Sequence, residues 1–126
     1  MKLVNSGLTE WENRHENFKE TIKALFIAAN DPDMNALDSY NDATQAIQQL
    51  ISEQIQSNTS FRSLGAAWSF NKITTAKDGY MLDTKQLNTT MNISANSVLA
   101  KYKGDVKKLL FAQCGNGVWE ISKQLR

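Results

Sequence analysis

The 126 residues contain only one cysteine, one proline and one histidine. A lone Cys114 excludes an internal disulfide and any zinc site built from several cysteines, and it suits a reducing compartment. With His15 as the only imidazole, a metal centre would need carboxylates such as Asp31, Asp33 and Asp38 to converge. Their spacing is not that of a ligand set, so no metal is expected. A surplus of one charge is also lacking. The net charge is +1, and nucleic acids or anionic membranes require a concentrated basic face, so neither is expected as a partner. No apolar run approaches the roughly 20 residues that cross a bilayer. The opening Met1-Lys2-Leu3-Val4-Asn5-Ser6 lacks the apolar core of a signal peptide. A cytoplasmic protein is the expectation.

What is present is an ordinary globular composition. Hydrophobic residues make up 41% and charged residues 21%, enough for one core but not for two independent ones. Phe18, Ile22, Leu25, Phe26 and Ala29 recur at helical spacing and predict a first helix over residues 17–29. Asn30-Asp31-Pro32 ends it, because proline donates no backbone hydrogen bond and restricts the residue before it. Ala43, Ala46, Ile47, Leu50, Ile51 and Ile55 form the cleanest apolar stripe and predict a second helix, capped by Asn41 or Asp42.

Beyond Ser57-Asn58-Thr59 the pattern shortens. Residues 61–64 and 80–84 read as buried strands. Val98, Ala100 and Tyr102 alternate with polar residues, as do the flanks of 109–113, and Lys103-Gly104-Asp105 between them suggests a β-hairpin. Gly115-Asn116-Gly117 breaks the second strand. Val118, Ile121 and Leu125 begin a final helix whose pattern is still running at Arg126. The expected fold class is α+β, with N-terminal helices followed by a small mixed sheet. Residues 1–37 are expected as a helical extension, and residues 38–126 as the N-terminal portion of a larger domain.

The stretch with most chemical content is Phe61-Arg62-Ser63-Leu64-Gly65-Ala66-Ala67-Trp68-Ser69-Phe70. A short strand runs into three small residues, which let a ligand approach the backbone. Consecutive free N–H groups there can form a nest for an anion such as phosphate.

Residues 38–126 resemble the first part of the FAD-binding domain of the vanillyl-alcohol oxidase and p-cresol methylhydroxylase family. The helix over Ala43 to Gln56 sits where that family has the helix before its loop. The passage Phe61 to Ser69 looks like its arginine-containing strand and glycine-rich loop. Asp78-Gly79-Tyr80-Met81-Leu82-Asp83 is similar to the next strand. Leu110-Phe111-Ala112-Gln113-Cys114-Gly115-Asn116-Gly117-Val118-Trp119-Glu120-Ile121 resembles the later strand–glycine–helix passage. The resemblance implies that Gly65, Ala66, Ala67, Trp68, Ser69 and Phe70 bind the FAD pyrophosphate. It also implies that the flavin takes a hydride from an alcohol or similar small hydroxylated substrate, whose pocket belongs to further domains. Some members attach the flavin through a histidine before the loop serine. Trp68 stands at that position and cannot form the bond, so FAD is expected to be held non-covalently. Alanine replaces the second small residue, which makes left-handed backbone costlier there.

Individual residues also have plainer readings. Gly65-Ala66-Ala67 can be a tight turn with close backbone packing. Trp68 can be a half-buried aromatic, and Ser69 a cap on the following turn. Arg62 is expected on a solvated strand face or in a structural ion pair, Cys114 as a small buried residue, and His15 as a surface residue. Lys101, Lys103, Lys107 and Lys108 are expected to line a solvated edge. No catalytic residue is assigned. The alternative function is a cofactor-free remnant acting as an interaction module, self-associating through unpaired sheet edges.

Overall fold

The computed structural model describes residues 2–67 and 70–126. Eight strands and two α-helices follow one another as β1 (Lys2–Asn5), β2 (Glu10–Glu12), β3 (Lys19–Thr21), β4 (Ala24–Ala29), α1 (Ala36–Gln56), β5 (Phe61–Leu64), β6 (Tyr80–Gln86), β7 (Thr90–Asn92), β8 (Leu110–Ala112) and α2 (Val118–Gln124). The fold is α+β. Its centre is a four-stranded sheet in the order β1-β4-β6-β5. Strands β4, β6 and β5 are mutually parallel, and β1 runs antiparallel on the edge beside β4.

The helix expected over residues 17–29 is not formed: β3 and β4 occupy that stretch. The apolar run Ala24-Leu25-Phe26-Ile27-Ala28-Ala29 lies inside a mixed sheet covered on both faces, with β6 parallel on one side. A central strand is therefore apolar at nearly every position and imitates a helical stripe. Nor is the N-terminal region a helical extension, since β1 and β4 belong to the same sheet as β5 and β6. The expected hairpin over 98–113 is likewise replaced. Strand β8 pairs antiparallel with β7, Met91 opposite Phe111, while the intervening residues form only short 3-10 turns at Ala95–Ser97 and Val106–Lys108.

Helix α1 begins at Ala36, before both expected caps, Asn41 and Asp42. Asn35 is the cap: its Oδ1 accepts from the Asp38 N–H at 3.0 Å and its Nδ2 donates to the Asp38 carboxylate at 2.6 Å. Such a side chain satisfies a helix N–H that has no partner within the helix, and Asp38 places negative charge against the positive end of the helix dipole. The helix lays Ala43, Ile47 and Leu50 on one sheet face, against Phe26, Ala28, Phe61, Leu82 and Leu87. Ile51 and Ile55, part of the same apolar stripe in sequence, stay exposed.

The opposite face carries Leu25, Leu64 and Met81. It is covered by Trp11 and Phe18 of the β2–β3 hairpin and by Ala67 and Ala76 of the β5–β6 connection. The short β2–β3 ribbon could not hold its shape alone, because two strands bury too little surface in water. Its packing through Trp11, whose ring centroid lies 6.1 Å from that of Phe18, anchors it over the sheet. That placement brings the hairpin turn beside the loop that follows β5.

Candidate functional site

In a parallel sheet the loops leaving the carboxyl ends of the strands share one edge of the molecule, and ligands of open α/β sheets bind there. Here these are the segments after β4, β5 and β6. The Leu64 carbonyl, the last of β5, accepts from the Thr84 hydroxyl at 3.1 Å, and the chain then enters the small-residue loop.

Gly65 and Ala66 are exposed and Ala67 is half-buried. A Cβ added at Gly65 would meet nothing within 4 Å. Among the described residues, therefore, none makes the close backbone packing offered as the plain reading of this glycine. Ala67 carries the left-handed conformation that the alanines make costly, with φ 61°. Among the described residues, none accepts a hydrogen bond from the N–H groups of Gly65, Ala66 or Ala67. Phe70 is 72% exposed, and its ring stacks on His15 with centroids 3.8 Å apart and planes 12° from parallel. Trp68 and Ser69 lie outside the described residues. Arg62 is exposed on β5, as its alternation predicts.

The Gly115 turn reaches the same edge from the other side. Its N–H donates to the Leu87 carbonyl at 2.8 Å. A Cβ there would lie 2.5–2.6 Å from the carbonyl oxygens of Thr84, Lys85 and Leu87, so only glycine fits so closely against the end of β6. Thr84 thus borders both passages, its hydroxyl on the Leu64 carbonyl and its own carbonyl beside Gly115. Gly117 caps α2, and the Glu120 carboxylate accepts from the Gly117 N–H at 2.5 Å.

A polar network that sequence reasoning gave no role fastens this turn. The Asn30 carboxamide lies 2.9 Å from the Thr89 hydroxyl and 2.8 Å from the Gln113 side-chain oxygen. Gln113 Oε1 also accepts from the Thr89 N–H at 2.9 Å, and Asn116 Nδ2 donates to the Gln113 carbonyl at 3.0 Å. These bonds link segments 83 positions apart in sequence, so no local pattern announces them. Asn88, Asn116, Trp119, Glu120 and Lys123 border a cavity of about 500 Å³ on the outer side of the turn.

Cys114 is exposed rather than buried. The turn that carries it directs Gly115, not the thiol side chain, against β6. It lines a second cavity of about 250 Å³ together with Tyr40, Ala43, Ile47, Leu87 and Phe111. Among the described residues there is no cluster of three or more His, Cys, Asp and Glu side chains fit to hold a metal. No helix among them is long and apolar enough to cross a membrane.

Comparison with protein-family models, with curated proteins and with solved structures found no match.

Proposed function

We propose that this chain binds FAD non-covalently through the 65–70 loop, as the N-terminal part of a cytoplasmic FAD-dependent oxidoreductase acting on an alcohol or similar small hydroxylated substrate. The observation that carries the reading is the run of three amides, Gly65 to Ala67, that have no acceptor among the described residues, at the carboxyl end of a parallel strand. Oriented backbone N–H groups offer partial positive charge to an anion without a lysine or arginine. None of the described residues packs over Gly65, so a pyrophosphate can come within hydrogen-bonding distance of the main chain there. The order of strand, small-residue loop, strand and glycine turn, with both loops meeting at Thr84, fits the resemblance on which the reading began.

The residues present fit the phosphate half of the cofactor. Gly65, Ala66, Ala67 and Phe70 would hold it, and Trp68 and Ser69 complete the loop in sequence. FAD supplies hydride acceptance when bound, while the protein supplies position and surroundings. The groups that shape the substrate pocket would come from further domains.

The test is a titration of the purified chain with FAD, followed by flavin fluorescence and absorbance. The expected result is saturable one-to-one binding, with all flavin released to the supernatant on acid precipitation. Flavin in the acid pellet would contradict the non-covalent reading. Failure to bind by both this chain and a longer one containing it would remove the flavoprotein reading altogether.

A second reading has one observation in its favour. Every residue of edge strand β1 is exposed, Leu3 and Val4 among them, and an unpaired strand edge is a template for another strand. A chain that elutes as a dimer and leaves FAD free would support a self-associating module instead.

A further inference from the structure

The loop after β5 is held in place by the turn of the β2–β3 hairpin. The Arg14 N–H donates to the Ala67 carbonyl at 3.2 Å. Asn17 Nδ2 donates to the Phe70 carbonyl at 3.1 Å, across 53 positions of sequence. The His15 ring stacks on the Phe70 ring. One step further on, Lys72 pairs with Glu20 of β3 at 3.0 Å. The hairpin therefore grips the loop at residues 67, 70 and 72.

The direction in which Asn17 donates follows from a chain of assignments that starts at a backbone N–H. The Asn17 N–H donates to Asn13 Oδ1 at 3.2 Å, which makes that atom the acceptor and Asn13 Nδ2 the donor. Asn13 Nδ2 in turn donates to Asn17 Oδ1 at 2.6 Å, leaving Asn17 Nδ2 to face the Phe70 carbonyl. Asn13 is 2% exposed, so the pair is set from within the fold. A left-handed Glu16, φ 52°, and a bond from its N–H to the Asn13 carbonyl at 3.0 Å close the turn.

The consequence is electrostatic. A phosphate is attracted by amide N–H groups and repelled by carbonyl oxygens. The hairpin supplies donors to the carbonyls of Ala67 and Phe70, while the amides of Gly65 to Ala67 keep no acceptor among the described residues. We infer that Asn17 is a positioning residue: by holding the Phe70 carbonyl it keeps that acceptor turned away from an anion on the Gly65 to Ala67 amides. The inference rests on the pyrophosphate reading for its ligand, but its structural half is independent of FAD. A site held by such supporting contacts binds better than one that must order itself on arrival.

The experiment compares the full chain with Asn17→Ala and Asn17→Asp, the latter placing a carboxylate oxygen against the Phe70 carbonyl. Hydrogen exchange, read without flavin, should accelerate about tenfold or more at the Arg14 N–H, whose bond to the Ala67 carbonyl reports the hairpin–loop contact, and stay unchanged in β6. FAD affinity should fall about tenfold, with the melting midpoint unmoved. Affinity for riboflavin, which has no pyrophosphate, should not fall with it. Unchanged exchange at the Arg14 N–H overturns the inference. So does FAD affinity equal to that of the unsubstituted chain, or an equal loss for riboflavin. If the unsubstituted chain binds no FAD, the flavin reading fails, and the exchange comparison still decides whether Asn17 holds the loop to the hairpin.

Discussion

Met81→Ala should cost about 2–5 kcal/mol of folding stability, the range for truncating a fully buried large aliphatic side chain. Met81 is 0% exposed. It is the second residue of β6, beside Leu25 of β4 on one side and Arg62 of β5 on the other. It packs in the cluster formed by Trp11, Ile22, Leu64 and Ala76. The loss has two parts, the transfer free energy of the deleted atoms and the cavity they leave between sheet and hairpin. Domains of this kind are stable by only about 5–15 kcal/mol, so the substitution removes a large share of the total. Urea denaturation measures it as a fall in midpoint at unchanged slope. Ile55→Ala is the control. It belongs to the apolar stripe of α1 in sequence but is 73% exposed, and its effect should stay within about 0.5 kcal/mol. Equal losses at the two positions would contradict the burial of Met81 and the exposure of Ile55.

Gly115→Ala should destabilise the chain by about 1–3 kcal/mol or more, because overpacking against backbone is not relieved by a side-chain rotation. The new methyl would meet three main-chain carbonyl oxygens within 2.6 Å. Relief requires the turn to withdraw from β6, which breaks the 2.8 Å bond from the Gly115 N–H to Leu87. The melting temperature should fall by roughly 4 °C for each kcal/mol lost. Gly65→Ala provides the contrast. Nothing lies within 4 Å of its Cβ position and its φ is not left-handed, so its effect on stability should be under about 1 kcal/mol. The two glycines thus do different things: one permits packing of the fold, and the other has no described residue packed over it.

Much of the architecture was legible from local pattern. Strands β5 and β6 were read from short apolar runs between turn residues, α1 from its stripe, and α2 from the residues after the Gly115-Asn116-Gly117 break. Strand β4 was not, because a strand covered on both faces loses the alternation that distinguishes it from a helix. The alternation of Val98, Ala100 and Tyr102 is real but exposed, with Leu99 and Tyr102 facing solvent. The true partner of β8, Thr90-Met91-Asn92, carries too little apolar pattern to announce itself. At the candidate site, the small residues of the loop mark it in sequence. Its support does not: Asn13, His15 and Asn17 read as ordinary polar residues of a turn, and their importance depends on a fold that brings positions 53 apart together. The same holds for the bond between Asn30 and Gln113.

We propose that the amides at the carboxyl end of β5 receive the cofactor's pyrophosphate. The most direct measurement is the backbone amide spectrum of the nitrogen-15-labelled chain during titration with FAD, repeated with inorganic pyrophosphate. The largest shifts for both probes should fall on Gly65, Ala66 and Ala67, with smaller shifts at Thr84 and Gly115. Shifts confined to other regions, such as the exposed segment around Leu99 and Tyr102, or no shift with either probe at saturating concentration, would contradict it.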